Sequence, residues 1–221
     1  MTAAPVSKAD YVYAVLLEEI RTAQIPGGTA LRAAAVAARL GVSVTPVREA
    51  LRRLENDRLV RYQAHHGATV VDLGDAALEE FYGVRAALEG LGARLAAARI
   101  TPAELDGLRA LHESMAESLE RGESAGLGEL SRDFHLRIAD IGGPAFLGQQ
   151  ARAAHNSFPV PPGASLWLRP APAARQLAAH AAVLRALEEA DADAAERVMT
   201  AHIRDAGTWR RTHLSGHSDL G

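Results

Sequence analysis

Three histidines in the C-terminal two thirds of the chain lie on apolar faces of expected helices. His135 stands beside Phe134 and Ile138, His180 between Leu177 and Leu184, and His202 between Val198 or Met199 and Ala206. Taken singly, such a histidine is an ordinary hydrogen-bonded core residue. Three on separate helices of one bundle can do more, because neutral imidazoles converging from facing helices hold a divalent metal, zinc or nickel rather than magnesium. Spacing along the chain does not bring them together, so both readings stand at this point. Arg85 adds a second chemical group: it lies four residues after Phe81 and three before Leu88, on a face directed into the bundle. A guanidinium withdrawn from water needs an anion, either Glu89 one turn on or the acid group of a bound ligand.

A different pair of cations stands in the N-terminal third. In the segment from Ser43 to Asn56 the apolar positions Val47, Ala50, Leu51 and Leu54 make an inner face, which places Arg48 and Arg52, four apart, on an outer one. By itself that is a solvated charge stripe. Its surroundings give it more meaning. Gly41 supplies a tight turn, Ser43 or Thr45 can cap the helix, and Pro46 falls in its first turn, where the missing N–H is not needed. Upstream, Val12, Tyr13, Leu16, Leu17 and Ile20 are spaced as a helix that ends before Pro26-Gly27-Gly28, and a second helix is expected over 33–40. Downstream, the β-prone runs 59–62 and 69–71 flank Gln63 to Ala68 and read as a hairpin. Helix, helix, turn, helix and hairpin make a winged helix-turn-helix.

From residue 74 onward the pattern is helical. Amphipathic stretches place Leu78, Phe81, Leu88 and Leu95, then Leu105, Leu108 and Met115, then Leu127, Leu130, Phe134 and Ile138 inward. Two more carry Leu177, Leu184 and Leu187, and Val198, Met199, Ala206 and Trp209. A shorter helix is expected near Phe146 and Leu147, followed by a Pro-rich loop, SFPVPPGASLWLRPAPA. The expected architecture is mainly α: a winged helix-turn-helix over 1–73, then an all-α antiparallel helical bundle over 74–221.

Composition narrows the chemistry further. The 221 residues are 48% hydrophobic, enough for real cores, and contain no cysteine, which excludes disulfides, iron–sulfur clusters and thiol nucleophiles. No apolar run approaches the roughly 20 residues that span a bilayer, and no signal sequence is evident at the N-terminus, so a cytoplasmic protein with no membrane partner is expected. Net charge is −3, yet residues 1–71 hold nine Lys and Arg against six Asp and Glu. The basic excess is therefore in the segment with the outward arginines.

The stretch LGVSVTPVREALRRLENDRLV, residues 40–60, resembles the helix-turn-helix signature of the GntR family of transcription regulators, and FYGVRAALEGLGARLAA, residues 81–97, is similar to the first helix of the FCD ligand-binding domain of its FadR subgroup. The resemblance implies a ligand-responsive regulator rather than an enzyme. It would be a homodimer on double-stranded operator DNA, contacting it through Ser43, Val44, Thr45, Arg48, Arg52 and a wing tip at His66 and Gly67. Family members usually carry arginine at the position of Val44. The same resemblance implies that His135, His180 and His202 bind a metal together with an Asp or Asn four residues before the first histidine, where this chain has Ser131, and that Arg85 meets the acid group of a small organic acid effector. Asp133, about 200° around the helix from His135, should face elsewhere. Two other readings compete: a histidine site with a purely structural role, and a metal-dependent hydrolase, for which no GxSxG, P-loop or HExxH motif is present.

Overall fold

A computed structural model describes residues 7–21, 24–57, 59–63, 67–71, 75–157 and 165–214. The chain separates into two compact units, one comprising 1–74 with 156–162 and the other 75–155 with 163–221.

In the first unit, α1 (Lys8–Arg21), α2 (Ala33–Leu40) and α3 (Val44–Asn56) precede strands β2 (Val60–Gln63) and β3 (Gly67–Val70). A two-residue strand, β1 (Ala30–Leu31), pairs with β3 as well, giving an antiparallel sheet of order β1-β3-β2. β1 is too short to show any alternation, which is why the sequence pattern gives only a hairpin. Val12, Leu16 and Ile20 of α1 close on Val47, Ala50, Leu51 and Leu54 of α3 and on Val60, Ala68 and Val70 of the sheet. The Tyr13 hydroxyl donates to the Asp57 carboxylate at 2.6 Å and ties α1 to the end of α3. Gly41 turns α2 into α3 with φ of 66°, in the left-handed region where a side chain would be strained. Ser43 occupies the N-cap position of α3, but its side chain makes no capping hydrogen bond, so the turn is held by Gly41 and by packing.

The second unit comprises α4 (Asp75–Ala97), α5 (Pro102–Glu120), α6 (Leu127–Gly142), α7 (Leu147–Asn156), a 3-10 turn (Leu166–Leu168), α8 (Pro170–Glu188) and α9 (Ala192–Leu214). The second half of the expected Pro-rich loop is thus ordered structure. Leu166 and Trp167 are buried, and Pro170 and Pro172 lie in the first turn of α8, where proline is tolerated. α4 packs chiefly against α9 and α6. Its enclosed face is Tyr82, Arg85, Ala86, Glu89, Ala93 and Ala96, whereas Phe81, Leu88 and Leu95, expected inward, are only half-buried. Small residues explain the rotation. A Cβ on Gly92 would stand 3.1 Å from the Ala139 Cα, and one on Gly142 would stand 2.3 Å from the Gly92 carbonyl oxygen, so α4 and α6 meet backbone to backbone. One turn before Gly92 and Ala139 come Glu89 and His135, which that approach brings together.

Candidate functional site

α6 presents His135, α8 presents His180 and α9 presents His202, all three buried. The Nε2 atoms of His180 and His202 each lie 3.2 Å from Nε2 of His135. Neighbouring rings fix these orientations: Phe134 stacks on His180 with centroids 4.5 Å apart, and His135 stacks on His202 at 5.0 Å. Among the described residues, Nδ1 of His180 and of His202 finds no hydrogen-bond partner. One ring nitrogen cannot satisfy two facing imidazoles well, because His135 Nε2 has a single lone pair or a single proton to offer. A cation at the common point would be met by three lone pairs. Nitrogens around a tetrahedral zinc with Zn–N of about 2.0–2.1 Å lie about 3.3–3.4 Å apart, close to the two spacings from His135, and all three ligand atoms lie within 4.8 Å of one another. The residues therefore fit a divalent metal.

Behind the histidines lies a charged cluster. Glu89, almost fully enclosed, accepts from Arg85 Nε at 2.7 Å through Oε1, and its Oε2 stands 2.9 Å from His135 Nδ1, although not aligned as a hydrogen bond. A carboxylate at the far nitrogen favours the Nδ1–H tautomer and leaves the Nε2 lone pair facing the other two histidines. His155 of α7 completes the group, its Nε2 3.0 Å from Arg85 Nη2 and 3.1 Å from Glu89 Oε1. Burial disfavours the charged form of Glu89, but the Arg85 guanidinium overrides it and holds the carboxyl well below its usual range. Burial likewise pushes His202 down to about 3 and His155 to about 4, the latter aided by Arg85, and His180 also falls well below the ordinary histidine value. All three are neutral imidazoles, the form that binds metal.

Of the residues singled out from sequence, His135, His180 and His202 are thus brought together, and Arg85 lies in the adjoining cluster paired to Glu89 rather than facing an open space. Ser131 is buried one turn before His135 and offers a hydroxyl in place of a carboxylate, while Asp133 is exposed. Sequence reasoning missed His155, although Leu147, Ala151 and His155 form an i, i+4 stripe on α7 that could have marked it. On α3, Ser43, Thr45, Arg48 and Arg52 are exposed, and Val44 is half-buried against the core. Arg53, by contrast, pairs with Asp10 at 2.5 Å and lies over the Tyr13 ring. Among the described residues Arg48 and Arg52 make no ion pair and stay available. Gly67 opens β3 with φ of 84°, and His66 lies outside the described residues.

Residues 8–70 match the pattern described as bacterial regulatory proteins, gntR family, and residues 80–205 match the FCD domain. The chain belongs to the GntR family. A probable D-xylose utilization operon transcriptional repressor of Paenarthrobacter nicotinovorans is 30% identical over 197 residues, covering 88% of this chain and 85% of that protein. The transcriptional repressor RspR of Escherichia coli is 27% identical over 216 residues, 94% of this chain and 91% of the relative. The solved structure of E. coli McbR/YncC shares the fold, with a TM-score of 0.76 at 24% identity over 95% of this chain and 100% of that one. This GntR-family protein is accordingly a DNA-binding transcription regulator with an FCD domain, not an enzyme, and its first unit is the winged helix-turn-helix of that family. No helix among the described residues is long and apolar enough to cross a membrane.

Proposed function

We propose that this regulator is a cytoplasmic homodimer whose hold on operator DNA is set by a small organic acid bound with a divalent metal, zinc or nickel, in the FCD domain. The observation that carries this reading is the convergence of three Nε2 atoms from three helices, backed by a carboxylate at the far nitrogen of His135. His135, His180 and His202 would hold the metal, and Ser131, with no carboxylate to offer, leaves its remaining positions to water or to the effector. The bound ion would supply a Lewis-acidic seat for a carboxylate. Arg85, held by Glu89 and His155 in the adjoining cluster, would meet that acid group. The apolar Val84 and Leu91, exposed on α4 beside half-buried Leu88 and Leu95, give a face for a second copy. A purely structural role for the histidines is the alternative, and it predicts that no acid alters operator affinity. Coupling of ~1–3 kcal/mol would change that affinity about 5- to 150-fold.

Metal binding is checked by elemental analysis after dialysis against zinc or nickel. Wild type should retain one ion per chain, and His180→Ala should bind at least about tenfold more weakly. Equal content in the two proteins removes the site. On the DNA side, Ser43, Thr45, Arg48 and Arg52 offer donors on one exposed face, with His66 and Gly67 at the wing and Val44 contributing an apolar contact or none. Arg48→Ala should weaken operator binding roughly tenfold or more, from a loss of about 1–3 kcal/mol, with an unchanged circular dichroism spectrum. A gel shift on a selected operator that shows no difference would take Arg48 out of the interface.

A further inference from the structure

The charge balance of the buried interior sets a condition on metal binding. Among the described residues, the buried side chains other than histidine that carry charge are Arg85 and Glu89, and they cancel as a pair at 2.7 Å. Burial keeps His180 and His202 neutral. The remaining buried polar side chains, Ser131 and Gln176, are uncharged. Each stands one turn before a histidine of the triad, Ser131 before His135 on α6 and Gln176 before His180 on α8. The acidic residues of the helices that supply the triad lie outside this interior: Asp133 of α6 and Asp205 of α9 are exposed, and Asp140 of α6 pairs with Arg152 at 2.7 Å.

Three imidazole lone pairs would therefore bring a divalent ion into an interior whose own charges already cancel. A buried charge without a counter-charge is costly, and a tetrahedral ion held by three nitrogens keeps one position open. Glu89 cannot serve at that position, because it stands behind His135 at Nδ1, on the far side of the ring from the converging Nε2 atoms. We infer that the carboxylate of an organic acid is the missing counter-charge, so that metal and acid bind this chain as a unit, each tightening the other; the inference rests on the acid-effector reading above. Linkage makes the effect reciprocal: the factor by which the acid raises metal affinity is the factor by which the metal raises acid affinity. The regulator then answers to metal and acid together rather than to either alone. Ser131 is the residue that sets this dependence. An aspartate there, on the same face of α6 one turn before His135, would supply the counter-charge from within the chain and make the acid dispensable for metal binding.

Zinc titrations of the full chain against a competing chromogenic chelator decide it, near neutral pH and at constant ionic strength, with acetate as the probe acid and perchlorate as the non-coordinating control. Wild type should bind zinc at least about tenfold more tightly in acetate than in perchlorate. Ser131→Asp should bind zinc in perchlorate as tightly as wild type does in acetate, and should lose most of the acetate gain. Ser131→Ala should behave as wild type in both media. A marked loss of zinc affinity in Ser131→Ala would mean that the hydroxyl already fills the open position, and an undiminished acetate gain in Ser131→Asp would put the anion elsewhere; either overturns the inference. Wild-type zinc affinity that is the same in acetate and perchlorate also overturns it, needs no variant to fold, and leaves the metal site of the proposed function standing. Zinc that binds in neither medium removes that site and the inference together.

Discussion

Replacing Glu89 with leucine should destabilise the FCD domain by about 3–5 kcal/mol, the usual penalty when one member of a buried ion pair is removed and the other is left charged. Among the described residues the carboxylate is the only anion within ion-pair distance of Arg85, at 2.7 Å, and both side chains are almost wholly enclosed. Arg85 cannot escape the penalty by losing its proton, and the Arg210 guanidinium across Tyr82 adds repulsion. Volume is not the issue, since leucine fills much the same space. The double variant Glu89→Leu with Arg85→Met should therefore recover most of the loss, whereas independent contributions would add. Urea unfolding followed by circular dichroism measures both. If Glu89→Leu alone shifts stability by less than about 1 kcal/mol, the Arg85 charge is met by something other than this pair. Glu89→Gln separates the two roles of the residue: it leaves Arg85 a hydrogen-bond acceptor but no longer favours the Nδ1–H tautomer of His135, so metal affinity should fall about 10- to 100-fold even where the fold survives.

The DNA-binding unit was legible because its signals are local. The glycine turn, the proline in the first turn of α3 and the apolar spacing of Val47, Ala50, Leu51 and Leu54 each lie within a few residues of what they determine, and α2 runs over the expected 33–40. β1 escaped because two residues have no periodicity to show, although pairing with β3 is what completes the sheet. In the FCD domain the metal-ligating types could be picked out, since histidine on an apolar helical face is conspicuous. Their convergence could be had only from the family resemblance. Arg85 and Glu89, one turn apart, were identified as a possible pair from spacing alone. The reach of Glu89 to His135, 46 positions away, depends on Gly92 and Gly142 letting α4 and α6 touch, and no one-dimensional pattern announces that. The face of α4 was misjudged for the same reason: large apolar residues were expected inside, while the closest helix contacts are made by glycine and alanine and leave Phe81, Leu88 and Leu95 at the border.

Acid should unfold the metal-free FCD domain well above the pH at which carboxylates titrate, and this is the largest solvent effect expected of the protein. An unfolded chain binds a proton on each histidine near pH 6.5. In the folded domain burial holds His202 at about 3 and His155 at about 4, and His180 is depressed in the same direction. Between those limits the unfolded state carries more protons than the folded one, so stability rises with pH and is fully present only above about 6.5. Each such histidine loses about 1.4 kcal/mol per pH unit below that point, or on the order of 2 kcal/mol at pH 5, and three together approach the whole stability of an ordinary domain. Glu89 works in the same sense at lower pH: its depressed carboxyl stabilises the fold above the usual carboxylate range and ceases to do so as the pH falls further. Chelator-treated protein followed by far-ultraviolet circular dichroism should show a melting temperature that is level above pH 7 and falls steeply from pH 6.5 to 5. His155→Phe, which removes one of the three groups while keeping a buried ring, should reduce that slope by about a third. Metal-loaded protein should start higher and fall more steeply still, because protons and metal compete for the same nitrogens. A melting temperature that stays level down to pH 4.5 in the chelated protein would mean that these imidazoles take up protons as readily in the fold as in water, and that His180 and His202 are not held neutral and ready for a metal.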